Sequence, residues 1–152
     1  MSVDRSHIRT KSMVRLVDAA RGRELVSRYP VDPASGQAQF HRLLGGSIEL
    51  GEKAADAAVR EIVEEVQHTV VAPELLGVVE NIFTFEGEPG HEIVFVYRAD
   101  VPTDLVPDEG AWFAEDDGAP MYVLWRDLDA TTPPLYPDGL AALTASMPTL
   151  GS

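Results

Sequence analysis

Gly45-Gly46-Ser47-Ile48-Glu49-Leu50-Gly51-Glu52, followed after seven intervening residues by Arg60-Glu61-Ile62-Val63-Glu64-Glu65, is the stretch that decides how this chain reads. Between Lys53 and Val66 the apolar residues Ala55, Ala58, Val59, Ile62 and Val66 recur at helical spacing, with charged residues between them, which predicts an amphipathic helix. At about 100° per residue, Glu61, Glu64 and Glu65 fall within a third of the helix circumference, opposite Ala55, Val59, Ile62 and Val66. Like charges so placed repel, at about 0.2–0.5 kcal/mol per exposed pair, and a hard cation with a preference for oxygen ligands reverses that sign. Ala57, one turn before Glu61, presents only a methyl group, which leaves room for a ligand. Arg60 stands at i, i+4 from Glu64 and can hold that carboxylate in place.

Upstream, Met13, Val14, Leu16 and Val17 mark a strand from Ser12 to Asp18. Arg21-Gly22-Arg23 turns the chain into a second strand, Glu24 to Tyr29, giving a hairpin. Pro30 to Gln39 reads as a loop, and Phe40 to Leu44 as a short strand that ends at the Gly45-Gly46 break. Downstream, Thr69 to Val79, Ile82 to Phe85 and Glu92 to Ala99 are β-rich, the last two joined by the turn Gly87-Glu88-Pro89-Gly90. A loop from Pro102 to Gly118, interrupted around Trp112, leads to a final strand, Met121 to Trp125, and a closing helix over Leu135 to Met147. Strands before and after one strong helix, with a helix at the end, predict an α/β fold with a mixed β-sheet flanked by helices, in one domain over residues 1–152.

Composition narrows the function. A formal charge of -13 leaves no broad basic surface for a nucleic-acid polymer or an anionic membrane. A small phosphate ester would also be repelled from an acidic pocket unless cations intervene, so a phosphate-handling reading requires a metal. Cysteine is absent, which excludes disulfide and thiol chemistry, and no stretch has the length and apolarity of a signal peptide or a membrane span. A cytoplasmic protein is the expectation.

Gly46, five residues, Glu52, seven residues, then Arg60-Glu61-Ile62-x-Glu64-Glu65 resembles the Nudix box, a motif fixing several residue types over about twenty positions. The resemblance implies the Nudix-type α/β/α sandwich and the hydrolysis of a diphosphate linkage in a nucleotide or nucleoside diphosphate derivative. It implies Mg²⁺ or Mn²⁺ as cofactor, with Glu61, Glu65 and the Gly45 carbonyl as ligands and Glu64 as a further ligand or the group that activates water. Glu52 and Arg60 would then brace the loop against the helix, and a homodimer is compatible with the family. The rival reading is a catalytically silent nucleotide-binding regulator on the same fold. An isoprenoid diphosphate isomerase is disfavoured by the missing cysteine. The chain departs from the motif at Gln67 and His68, where a Gly and an aliphatic residue are usual. A left-handed Gln would cost about 1 kcal/mol, so a different helix ending is expected. Leu44 also replaces a frequent Pro before the glycines.

Other candidates lie outside the box. Glu115 and Asp116, in the loop before the expected final strand, stand where some Nudix enzymes place an additional acidic base or ligand. Glu80 and Glu92, at the ends of the expected second hairpin, and Phe83 between them could face substrate, with an aromatic ring available to stack on a base. His41, just before the glycines, is a weaker substrate contact, and Trp125 is expected in the core.

Overall fold

The computed structural model describes residues 6–115 and 117–146. Its elements in chain order are β1 (Arg9–Asp18), β2 (Arg23–Tyr29), a 3-10 turn (Pro33–Ser35), β3 (Phe40–Arg42), β4 (Leu44–Ser47), α1 (Ala54–Val66), β5 (Glu74–Phe85), β6 (Glu88–Asp100), β7 (Ala111–Ala114), β8 (Pro120–Asp127), β9 (Leu135–Tyr136) and a second 3-10 segment (Leu140–Ser146). The strands form one mixed sheet. β1 runs parallel to β6 and β3 parallel to β9, while the other pairings are antiparallel.

The fork in this sheet positions the site. β1 and β2 pair only over Leu16–Asp18 and Arg23–Leu25. Beyond that point the first half of β1 takes β4 as its neighbour, Lys11 opposite Ser47 and Met13 opposite Gly45. The second half of β2 takes β3, Ser27 opposite Arg42 and Tyr29 opposite Phe40. The two branches diverge and a cleft opens between them.

Alternation along β1 feeds two cores. Val14 and Leu16 pack with Leu25, Ala58, Ile62 and Val66 under α1. Met13 packs on the opposite face with Val26, Val94, Val96 and Leu140. Leu143 of the closing segment lies over Gly77, where a Cβ would collide with it. The buried fork of Arg15 on Glu24, 2.9 and 2.6 Å, ties β1 to β2.

Several expectations are revised. The chain between Phe40 and Ser47 forms two strands with different partners, so Gly45 and Gly46 lie inside β4 instead of breaking a strand. Gly45, at φ 148°, lies against the backbone of β1, where a Cβ would strike the Ser12 carbonyl. The segments expected at Thr69–Val79 and Ile82–Phe85 are one strand from Glu74, because Val79 and Asn81 alternate inward without interruption. The second hairpin turns at Glu86-Gly87, and Glu88, Pro89 and Gly90 already belong to β6; Pro89 lies beyond the residues that pair with β1, so its missing N–H breaks no bond on that side. The strand expected at Met121–Trp125 runs from Pro120 to Asp127 and is not the last. The closing helix over Leu135–Met147 is replaced by β9 and a 3-10 segment, since Pro137 biases the preceding Tyr136 toward the extended backbone it adopts in β9; Met147 lies outside the described residues. The second covering layer is thus 3-10 rather than α-helical. Among the described residues no helix is long and apolar enough to cross a membrane.

Candidate active site

Helix α1 packs against β1 and β4 and is tied to β1 by the Ser12 hydroxyl, which donates to the Ala54 carbonyl at 2.7 Å. Its buried face consists of Ala57, Ala58, Glu61, Ile62, Glu65 and Val66, whereas Ala55 is exposed. The three glutamates therefore do not share one solvent face. Glu61 and Glu65 are 4% and 6% exposed, while the Glu64 side chain keeps 40% of its surface in solvent. Ala57, fully buried, makes room for close packing of the sheet instead of for a ligand.

Glycine is what admits carboxylates to this position. A Cβ on Gly46 would collide with the Glu61 carboxyl group, so the bare backbone of β4 forms the wall of a cradle for it. One turn on, Glu65 Oε1 accepts the Gly45 N–H at 2.8 Å. Arg60 braces the construction. Its Nε and Nη2 donate to Glu52 at 2.8 and 2.9 Å, Nη2 also reaches the Ser47 carbonyl at 3.0 Å, and Nη1 lies 2.9 Å from Glu61 and 3.2 Å from Glu64. The fork on Glu52 holds the guanidinium firmly charged and draws the Glu52 carboxyl down to about 2.

The left-handed C-cap expected to be avoided is in fact adopted by Gln67, at φ 53° and ψ 37°. Its N–H reaches the Val63 carbonyl at 3.0 Å and its side-chain amide the Glu64 carbonyl at 3.3 Å, which offsets part of the steric cost. The helix ends at Val66 without a glycine.

The cleft measures about 1140 Å³ and is lined at one end by Gly45, Gly46, Arg60, Glu61 and Glu65. Its other end is aromatic. Tyr29 stacks on Phe40 with centroids 5.1 Å apart, and Phe85 and Tyr136 meet Phe40 edge-on at 6.1 and 5.5 Å. The Tyr29 hydroxyl donates to Glu115 at 2.9 Å; burial, then this carboxylate, pushes the tyrosine up to about 12. Arg9, Lys11 and Arg42 also line it, Lys11 within electrostatic reach of Glu61 and Arg42 within reach of Tyr29.

Those three cations surround Glu92, which is fully buried. Its Oε2 lies 2.8 Å from Arg9, 3.4 Å from Arg42 and 3.9 Å from Lys11, and its Oε1 accepts Asn81 Nδ2 at 3.2 Å. Glu92, expected to face substrate, is thus enclosed and serves as the anchor of a basic cluster. Burial, then the nearby Arg42, lowers Lys11 to about 8. Sequence reasoning missed these cations and, of the aromatic lining, Tyr29, Phe40 and Tyr136, having weighed Phe83 and Phe85 as rings that could stack on a base. A signal existed, because Arg9 and Lys11 are two apart on one strand and so share a face, but their meeting with Glu92 depends on the parallel β1–β6 register that sets Arg9 opposite Glu92.

The remaining candidates separate. Phe83 lines the cleft, as do Glu115 and Asp117. Asp116 lies outside the described residues. Glu80 is exposed on β5, paired only loosely with His91 at 3.7 Å, and does not line the cleft. His41 faces Arg126, whose Nη1 stands 3.0 Å from Nδ1, and is pushed down to about 4 by burial and by the charges of Arg126 and Arg28. Trp125 packs at the edge of the core and donates its indole N–H to the Val106 carbonyl at 2.9 Å.

The donor set at the glutamate end is all oxygen, as Mg²⁺ or Mn²⁺ prefers, and the Gly46 cradle keeps it open toward the cleft. Among the described residues no three acidic, His or Cys side chains converge into a ready metal cage. Arg60 Nη1, set between Glu61 and Glu64, accounts for the separation of these two. It is the oxygen chemistry of the donor set, and not a preformed cage, that suits a divalent ion.

A family model, the NUDIX domain, matches residues 11–138, a span that includes this loop, brace and helix. The chain belongs to the Nudix family. Its fold is that of solved Nudix structures. A MutT Nudix hydrolase from Burkholderia pseudomallei is 25% identical, with 91% of this chain and 97% of that one covered and a TM-score of 0.60. The E. coli ORF135 protein is 18% identical, with coverage of 97% and 94% and a TM-score of 0.59. A MutT protein from Bacillus halodurans is 20% identical, with coverage of 78% and 68% and a TM-score of 0.53. Among curated proteins none matches the sequence significantly.

Proposed function

We propose that this Nudix protein hydrolyses a diphosphate linkage in a small nucleotide-type molecule, with Mg²⁺ or Mn²⁺ bound at the glutamate end of the cleft. The observation that carries the reading is that one cleft, in a chain of net charge -13, unites the buried Glu61–Glu65 pair, three cations and an aromatic end. A phosphate chain needs the first two and a nucleobase the third.

Glu61 and Glu65, with the Gly45 carbonyl and Glu64, would hold the metal, which when bound neutralises phosphoryl oxygens and acidifies an attacking water. Arg60 keeps the Ser47–Glu52 loop against α1, so the carboxylates are positioned before substrate arrives. Arg9, Lys11 and Arg42 offset negative charge along the phosphate chain. Phe40, Phe85 and Tyr136 offer ring surfaces to the attached group and help to exclude water. Glu64, whose side chain is 40% exposed beside the buried pair, is our choice for the group that accepts the water proton, with Glu115 and Asp116 before β8 as the alternatives.

The test is a panel of nucleoside triphosphates, including oxidised forms, ADP-ribose, nucleotide sugars and dinucleoside polyphosphates, incubated with and without Mg²⁺ and followed by phosphorus NMR. Metal-dependent cleavage of a diphosphate bond supports the proposal. Nucleotide binding by thermal shift with no turnover across the panel would replace it with the regulator reading.

A further inference from the structure

Glu92 is fully buried behind the cleft wall, and a single oxygen of it is shared by three cations that line the cleft: Arg9 at 2.8 Å, Arg42 at 3.4 Å and Lys11 at 3.9 Å. Three cations thus converge on one carboxylate in a protein that is otherwise strongly acidic, with Lys11 also within electrostatic reach of Glu61; burial, then the Arg42 charge, lowers the affinity of Lys11 for its proton. Asn81 fixes Glu92 Oε1 through Nδ2 and is itself held by the Asp138 N–H on its Oδ1 at 3.1 Å.

Arg42 is the member best placed to meet a ligand. Among the described residues its only side-chain hydrogen bond is the long one from Nη2 to Glu92, and its side chain is 30% exposed on β3, two residues after Phe40 on the same strand. Its remaining guanidinium donors are available to the cleft, and a planar fork of that kind matches a phosphate oxyanion.

We propose that Arg42 and Lys11, with Arg9, form a phosphate subsite that needs no metal, anchored from beneath by Glu92, and that it takes a phosphoryl group of the substrate other than those bound at the glutamate pair. The subsite makes this cleft selective for compounds with an oxyanion between the aromatic-bound group and the reacting phosphate, over diphosphates lacking one there. The inference deepens the proposed function and rests on it for the identity of the ligand, but not for the existence of the site.

Isothermal titration of inorganic pyrophosphate in EDTA tests the subsite without turnover. Wild-type protein should bind, Arg42→Gln should bind about tenfold more weakly, and Arg42→Lys should fall between because it keeps the charge and loses the fork. Arg21→Gln, which removes an exposed charge on the β1–β2 turn, should match wild type and so exclude a general charge effect. Lys11→Met provides a second route if an Arg42 variant is unstable. In turnover of a cleaved substrate, Arg42→Gln should raise KM more than it lowers kcat. No metal-free binding by wild type, or equal binding by wild type, Arg42→Gln and Lys11→Met, would overturn the subsite even if the protein is a diphosphohydrolase. Arg42-dependent pyrophosphate binding with no hydrolysis on any panel member would leave the subsite standing and remove the proposed function.

Discussion

Substituting Gly46 by alanine separates the site from the fold. The added methyl group would sit 2.5 Å from both Glu61 carboxylate oxygens, against an ordinary contact of about 3.4 Å or more, so the carboxylate must retreat by about 1 Å. The obstacle is a side chain, and one that can move, so the cost in stability should be that of modest overpacking, about 1–3 kcal/mol. The cost in activity should be larger in proportion, because a misplacement of about 1 Å at a reacting centre lowers rates by roughly a hundredfold. Gly45→Ala provides the contrast. There the methyl group meets the Ser12 carbonyl, which is backbone in the middle of β1, and the φ of 148° is unfavourable for alanine. That variant should lose well over 3 kcal/mol or fail to fold. Urea unfolding and steady-state turnover on the same preparations measure both quantities. A Gly46→Ala protein with wild-type kcat would refute the idea that the bare backbone of β4 exists to seat Glu61.

Three further outcomes follow from the geometry. Arg60→Lys cannot fork onto Glu52 while reaching Ser47, Glu61 and Glu64, so turnover should fall roughly 10- to 100-fold with the helix retained by circular dichroism; an unchanged rate would remove the bracing role. His41 is protonated near 6.5 in the unfolded chain and only near 4 in the fold, because burial and then the Arg126 charge facing its Nδ1 disfavour the imidazolium. The unfolded state therefore binds more protons in that window, and stability is lost as pH falls from 6.5 to 4. Wild type should lose roughly 2 kcal/mol more than His41→Gln across the window in urea titrations, and equal losses would contradict the assignment. Gln67→Gly relieves a left-handed non-glycine residue and should raise stability by about 0.5–1 kcal/mol, read as a Tm increase of a few degrees; a decrease would show that the Gln67 amide contributes more than the backbone strain costs.

What the sequence disclosed and what it hid have physical explanations. The helix was legible because its apolar period is strong, and the carboxylates because Gly46, Glu52, Arg60, Glu61, Glu64 and Glu65 keep a fixed spacing. That Glu61 and Glu65 lie on the buried side was not, since periodicity assigns glutamate to solvent and only the absent side chains of β4 make room for them. Glu92 looked like a strand-end carboxylate facing a pocket. Its role as an anchor depends on pairing between strands about eighty residues apart, which local patterning cannot reach. The segment from Leu135 was misread despite a visible signal, because Pro137 restricts Tyr136 to extended backbone and so argues against a helix starting at Leu135.

The most direct test of the central claim is the Mg²⁺-dependent turnover number of Glu61→Gln and Glu65→Gln beside wild type, on whichever panel compound is cleaved. Both substitutions keep the size of the side chain and one acceptor oxygen while removing the charge. A fall of about 10²- to 10³-fold in each, with unfolding midpoints near that of wild type, is the expected result. Turnover at the wild-type rate in either variant, or turnover that persists in EDTA, would contradict the account.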